Sequence, residues 1–272
     1  MSYTTLWEIP DGLWEKMKQI LPPEKPKGSR GRPPLPNRQV LNGILFILRS
    51  GSQWKGLKKE WFGASSSIHA HFQDWNESGL WKKIYRMMVK YYHKKRHIQW
   101  RWQAVDSKMV AAPLGGDQTG PNPTDRAKSG SKCHLWVDQR GAPLSIYITS
   151  ANAHDSTGVI PLLNQPIVPR PKTRYRVQHL CADKAYDSEP LRRTLRRRKF
   201  KPHIRKRTYT SQPPPALEPH RHPARRWVVE RTISWQNDFR SLRVRWAKKS
   251  SNWLALIYFA CTLILWRMCS PA

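Results

Sequence analysis

The sequence predicts two parts. An all-helical N-terminal domain of helix-turn-helix character covers residues 1–95, and an α/β domain with a mixed sheet flanked by helices covers residues 96–272. Three observations predict this. Apolar residues recur at helical spacing as far as Tyr92. From residue 100 short apolar runs of strand length replace them, two of which flank Asp138-Gln139-Arg140-Gly141, a hairpin signature. Helical spacing returns after Ala182, and strands followed by strand–helix alternation point to a mixed sheet.

In order, residues 6–21 place Leu6, Ile9, Leu13, Trp14, Met17, Ile20 and Leu21 at helical spacing and stop at Pro22-Pro23. Residues 22–38 form a Pro/Gly/basic linker, which excludes helix and central strand. Residues 40–48 are a short apolar helix closed by Ser50-Gly51. Residues 65–75 open on a serine run suited to capping and carry Ile68, His71, Phe72 and Trp75 on one face. Residues 80–92 are a further amphipathic helix. Strand-like runs follow at 100–105, 133–137, 144–149 and 178–182, then helices at 191–199, 225–242 and 252–268. The Gly/Pro-rich stretches 115–131 and 211–223 read as long loops, which in compact domains are often functional.

The charge narrows the function classes. The 272 residues hold 49 Lys+Arg against 18 Asp+Glu, a formal net charge of +31. Such a chain repels itself unless a polyanion neutralises it, and nucleic acid is the first candidate. With 39% hydrophobic residues and 14 Trp it still buries a core, unlike a disordered basic tail. Its four cysteines (133, 181, 261, 269) form no C-x-x-C pair, which argues against a cysteine-ligated zinc ribbon and a disulfide scaffold. The start has no basic stretch followed by an apolar run, so no export signal is expected, and a cytoplasmic, nucleoid-associated protein is the expectation. The apolar run at 253–266 is shorter than the ~20 residues of a spanning helix and reads as a buried terminal helix.

With so few carboxylates, each one poses a question. Asp106, Asp138 and Asp183 each end an apolar strand-like run, at a sheet rim where sites form in α/β folds. Asp138 has a simpler role in opening the hairpin turn. Asp183 could also cap the helix that follows it. Glu230 shares a helical face with Arg226, Ile233 and Asn237 and could form only a surface ion pair with Arg226. The sharper expectation is that Asp106, Asp183 and Glu230 converge, strongly depressed in pKa by the basic surroundings. Hard oxygen ligands of this kind suit Mg²⁺ or Mn²⁺, and two such ions would serve phosphoryl transfer.

Four ordered stretches carry a resemblance: residues 104–138 (from AVDSKMVAAPLGG to CHLWVD), GAPLSIYITSANAHDS, CADKAYDS and RRWVVERTISWQNDFRSLRVRW. The chain resembles bacterial insertion-sequence transposases of the DDE type, nearest the insertion-sequence-five family, over nearly its whole length. The resemblance implies an RNase H-like catalytic core. It implies Asp106, Asp183 and Glu230 as the catalytic and metal-holding acids, with Asp187 as the runner-up for the second acid, and two Mg²⁺ or Mn²⁺ ions per site. The wider group carries a Tyr, Arg, Glu, Lys signature around the third acid. Arg226 and Glu230 fit it, whereas Pro223 and Asn237 stand at the Tyr and Lys positions, so Arg231, Arg240 or Arg243 would have to supply those contacts. His154-Asp155 matches the family too, either supporting the acids or ordering a turn.

The expected partner is double-stranded DNA, both the terminal inverted repeats and the target, held by a homodimer; no membrane is expected. Residues 192–207 hold ten Lys/Arg, among them Arg192, Arg193, Arg196, Arg197, Arg198 and Lys199, and suit phosphate contact. Arg30 and Arg32, between Gly and Pro, could enter a narrow minor groove or belong to a plain linker. His69, His71 and Gln73 are the candidates for reading the repeat sequence. The function expected is cleavage at the element's ends and joining of the freed 3′-OH to target DNA. The alternative is an inactive DNA-binding repressor of the same fold, and a nuclease without strand transfer is a third reading.

Overall fold

The computed structural model describes residues 6–24, 34–172, 177–206 and 225–270. Arg30, Arg32, Pro223 and the loop expected at 211–223 lie outside the described residues. Five helices come first: α1 (Asp11–Lys18), α2 (Asn37–Ser50), α3 (Lys59–Phe62), α4 (Ser65–Glu77) and α5 (Leu80–Arg96). The helix expected over 6–21 is shorter because Pro10 sits at its N-cap with extended backbone. Helix α2 ends where expected: Gly51 takes φ 73° and its N–H closes on the Ile47 carbonyl.

The remainder builds one six-stranded sheet: β1 (Trp102–Ala111), β2 (Gly120–Pro121), β3 (Ser129–Asp138), β4 (Pro143–Ser150), β5 (Gln178–Ala182) and β6 (Phe200–Ile204). β1 lies at the centre, antiparallel to β3 on one side and parallel to β5 on the other, with β6 parallel to β5 at that edge. β3 pairs with β4 along most of its length and with β2 at its start. An antiparallel meander extended by two parallel strands is the mixed sheet that the strand pattern predicts. The helices are α6 (Asp155–Leu163), α7 (Glu189–Arg197), α8 (Trp227–Asn237) and α9 (Ser250–Cys269).

Alternation along β1 sorts these helices by face. Ser107 donates to Asp155 of α6, whereas Lys108 donates to Asn237 of α8, so α6 and α8 cover opposite faces. Asp106 shares the α8 face with Lys108. The approach of α6 is close: a Cβ on Gly158 would stand 2.5 Å from the His134 ring. On the other face Gly141, at φ 86° in the hairpin, accepts from the Thr232 hydroxyl at 2.7 Å and docks α8. The hairpin turn is as expected, with Asp138 Oδ1 accepting from the Arg140 and Ala142 N–H groups. Its Oδ2 also accepts from the Gln99 N–H and the Tyr92 hydroxyl, tying α5 to the sheet.

Helix α9 runs 20 residues, longer than the apolar run suggested, and is long and apolar enough to cross a bilayer by length and composition. Its environment decides the matter: 67% of its apolar window is buried in the protein, where it lies along α5. Helices and sheet share one continuous apolar core.

Three further expectations need correction. The stretch 115–131 is not all loop, since β2 and the start of β3 fall inside it. The helix expected over 225–242 stops at Asn237 and gives way to a 3-10 turn, Arg240–Leu242. β6 lies within the basic run, an edge strand that buries Phe200 and Ile204 and tolerates Pro202.

Candidate active site

β1 does not end at Asp106. It continues to Ala111, so Asp106 stands mid-strand rather than at a rim. The polar residues after it are accommodated because each finds a partner: Ser107 on Asp155, Lys108 on Asn237 at 3.0 Å. The pairing of β1 with β5 reaches Ala104 opposite Cys181. Carried two residues on, the same register sets Asp106 beside Asp183, just past the end of β5. Asp183 accepts from the Lys184 N–H and so does cap the short 3-10 turn that follows, Lys184–Tyr186.

Glu230 reaches the same place from α8. Arg226, at the start of that helix, donates from Nη1 to Asp183 Oδ1 at 2.5 Å and from Nε to Glu230 Oε1 at 2.9 Å. The surface pair considered for Arg226 and Glu230 therefore exists, but it is one arm of a bridge. The two acids lie within the span of one guanidinium and two hydrogen bonds.

Asp106 responds to both acids. Burial pushes its carboxyl up to about 6; the Ser107 N–H opposes this, Glu230 and Asp183 add to it, and Arg226 opposes it. This reverses the depression expected from the net charge. Exposed positive charge is screened by solvent, while desolvation acts on Asp106 directly.

Among the described residues, no three His, Cys, Asp or Glu side chains are grouped tightly enough to hold a metal as they stand. The donor chemistry nevertheless fits a hard divalent cation. Asp183 and Glu230 already hold one cationic group between them, and Asp106 is a third carboxylate within their field.

Behind Asp106 lies a buried polar network. Lys132 donates to Asp155 at 2.8 Å and to the Ala153 carbonyl at 2.7 Å, and the Ser107 hydroxyl donates to Asp155 at 2.8 Å. Burial alone would raise the Asp155 carboxyl, but these donors hold it below its usual value. His154 caps α6 by accepting from the Ser156 N–H, so the two residues divide the roles weighed for them: His154 orders the turn and Asp155 supports β1. Sequence reading missed Ser107 and Lys132. The alternation along β1 and β3 was the available signal, but their common partner requires the register.

His134 lies in this layer with no exposure, and burial pushes its imidazole down to about 4. Between pH 6.5 and about 4 the unfolded chain binds a proton there and the folded chain does not, so stability is lost as pH falls through that window. The loss is on the order of 2–3 kcal/mol. Urea titrations across this range are expected to show a flatter acid limb for His134→Asn than for wild type, and parallel limbs would contradict it.

The candidate DNA contacts separate. Arg192 is not available: it is buried, donates from Nε and Nη2 to Asp187 Oδ1 and from Nη2 to the Ile204 carbonyl, and serves as an internal strut between α7 and β6. Asp187 is the acid that receives this strut. Arg193, Arg196, Arg197 and Lys199 are exposed and Arg198 is half-buried; Arg193, Arg196 and Arg197 line a shallow hollow on α7, and Arg196 also meets Glu189 at 3.4 Å. On α4, Ile68, Phe72 and Trp75 are core. His69, His71 and Gln73 are half-buried, with His71 on the Ser67 carbonyl and Gln73 beside His69 at 3.1 Å.

Around the third acid, Lys108 donates to Asn237, the residue at the position of the signature lysine. Arg243 is turned back onto the Asn237 carbonyl, and Arg231 is fixed on the Arg140 carbonyl and against the rings of Trp227 and Trp235.

Comparison with known proteins fits this geometry. Residues 101–265, which contain all three acids, match the family described as a transposase DDE domain. The chain belongs to this transposase family. Residues 9–85 match a second family, described as a putative transposase of the IS4/5 family. Among curated relatives, a putative transposase for insertion sequence element IS402 of Burkholderia cepacia is 40% identical over 167 residues, 60% of this chain and 73% of the relative. A 16.2 kDa protein of the same element, from the same organism, is 33% identical over 119 residues, 42% of this chain and 80% of that protein. The catalytic domain of the Mos1 mariner transposase aligns over 68% of this chain and 88% of its own at 12% identity, with a TM-score of 0.33. That superposition is too loose to carry an argument.

Proposed function

We propose that this transposase binds the terminal inverted repeats of its element as a homodimer, cleaves a phosphodiester at each end and joins the freed 3′-OH to target DNA. The observation that carries the reading is the Arg226 bridge, which gathers Asp183 and Glu230 beside Asp106.

In this reading Asp106, Asp183 and Glu230 hold two Mg²⁺ or Mn²⁺ ions. When bound, such ions activate the attacking oxygen and stabilise the leaving one. The chain's own task is to hold the carboxylates still. Ser107 donates its backbone N–H to Asp106 Oδ1 at 2.8 Å, the Lys132–Asp155 pair fixes Ser107 from the opposite face, and Thr232 docks the helix that carries Glu230. Residues 1–95 form the end-binding part, with His69, His71 and Gln73 of α4 reading bases once they leave their internal partners. The minor-groove contact expected of Arg30 and Arg32 belongs to the same end-binding role.

The exposed face of α7 binds phosphate. Replacing Arg193, Arg197 and Lys199 with Gln is expected to lower the slope of log K against log salt by about 2 to 3, since each phosphate contact contributes about 0.9. Titrating labelled duplex at several salt concentrations measures it; an unchanged slope would place the phosphate track elsewhere. The function itself is tested by cutting of DNA carrying the element's ends, compared with scrambled ends. Specific binding without Mg²⁺-dependent cutting would favour the repressor, and cutting without end preference would favour a simple nuclease.

A further inference from the structure

We propose that Arg226 is a placeholder for the divalent cation, displaced when a DNA phosphate takes its guanidinium, so that metal loading and DNA engagement are coupled. The inference rests on the three-acid reading and adds a regulatory step to it.

The geometry sets up a competition. Arg226 ends the segment that leads into α8, with helical backbone (φ −66°, ψ −34°), and Glu230 lies one turn further on. From that position one guanidinium takes an oxygen of each acid, Asp183 Oδ1 and Glu230 Oε1. A cation shared by these two carboxylates wants the same oxygens. Arginine keeps its charge at all working pH values and offers a planar fork of donors, so nothing but a competitor removes it.

The contact is also exchangeable. Arg226 is 42% exposed on its side chain, Asp183 39% and Glu230 50%. Ion pairs of this exposure are weak, so a competing anion can draw the arginine away. The buried pairs in the same protein, Lys132–Asp155 and Arg192–Asp187, are built differently, with cations only 6% and 9% exposed.

The neighbouring arginines are engaged elsewhere. Arg225 lies over the Trp102 ring at 5.5 Å, and Arg231 is fixed on the Arg140 carbonyl and between two tryptophans. Arg226, at the N-cap of α8, is thus the one of these three arginines engaged with the acids themselves.

Once displaced, a guanidinium seeks a bidentate oxyanion, and a phosphodiester entering the site supplies one. DNA therefore lowers the cost of exchanging arginine for metal. By reciprocity, metal strengthens DNA binding by the same factor. Without DNA the acids stay neutralised by the protein and load metal weakly.

The test is Mn²⁺ binding to the full chain, followed by electron paramagnetic resonance, with and without a short mixed-sequence duplex. Wild type, Arg226→Gln, Arg226→Lys and Glu230→Gln are compared. Without DNA, Arg226→Gln is expected to bind Mn²⁺ on the order of tenfold more tightly than wild type, within the range typical of coupled sites. Arg226→Lys, a point charge without the fork, is expected to fall between them. Adding duplex is expected to tighten Mn²⁺ binding strongly in wild type and little in Arg226→Gln. Equal or weaker Mn²⁺ binding by Arg226→Gln, with the duplex response retained, overturns the placeholder role and leaves the acids as assigned. Mn²⁺ binding that Glu230→Gln leaves unchanged, or none in any protein, overturns the three-acid reading and this inference with it. Thermal melting of each variant is expected to stay near wild type, because the bridge is half-exposed.

Discussion

Asp106→Asn, Asp183→Asn and Glu230→Gln are each expected to abolish Mg²⁺-dependent cutting of DNA carrying the element's ends, by roughly 10³-fold or more, while end binding survives. The effect is large because the three carboxylates act as one unit. Asp106 is mid-strand in β1, Asp183 follows β5 and Glu230 is on α8, so each variant removes a carboxylate charge and one ligating oxygen that no neighbour replaces. Binding survives because the exposed arginines of α7 are on another element. Effects on a unit of this kind do not add, so a double variant is expected to lose no more than either single one. A single acid variant that keeps a tenth of wild-type cutting would remove that residue from the site. Gel assays on end-bearing duplexes decide it.

The second large effect concerns stability. Arg245→Met is expected to destabilise the protein by about 3–5 kcal/mol, because an ion-paired buried charge is removed and its partners are left unpaired. Arg245 has no exposed surface. Its guanidinium donates to the carbonyls of Ala247 (2.9 Å), Asp117 (2.7 Å) and Lys248 (2.7 Å) and to the Ser131 hydroxyl at 2.5 Å. It thereby ties the loop after β1 to β3 and to the segment entering α9. Asp117 continues the link by accepting from the Ser250 N–H at 2.7 Å, at the start of α9. Because α9 lies against α5, the α8 face and the sheet, the loss should spread through the whole transition rather than one loop. Urea unfolding measures it. A midpoint close to wild type would mean that the carbonyls find water or one another.

The sequence made some of this architecture legible and hid the rest for identifiable reasons. The hairpin was plain because Asp-Gln-Arg-Gly both caps itself and supplies a residue at positive φ. Helix α4 was plain because Ile68, Phe72 and Trp75 repeat at its period. β6 was hidden because its apolar residues, Phe200 and Ile204, stand four apart among lysine, proline and histidine, which mimics a helical spacing. The second half of β1 was hidden because Ser107 and Lys108 are polar and buried; only their partners on α6 and α8 justify them. Arg192 read as one of a basic run, yet a helix turns one residue of such a run inward, and Asp187 was there to receive it.

The acids themselves could be suspected from their scarcity and, for Asp106 and Asp183, from the apolar runs that precede them, and ordered by resemblance. Their convergence could not be read, because 77 residues separate Asp106 from Asp183 and 47 more separate Asp183 from Glu230. Even the electrostatics ran opposite to composition: net charge suggests depressed acids, and local burial raises Asp106 to about 6.

Convergence is the central claim, and Fe²⁺ tests it most directly. Fe²⁺ occupies hard-oxygen sites of this type, and with ascorbate and peroxide the bound ion cuts the nearby backbone. The account predicts three clusters of cuts in the full chain bound to duplex: around Asp106 in β1, around Asp183 after β5 and around Glu230 in α8. All three should be lost together in Glu230→Gln. Cuts scattered over the basic surface, or confined to one of the three segments, would contradict it.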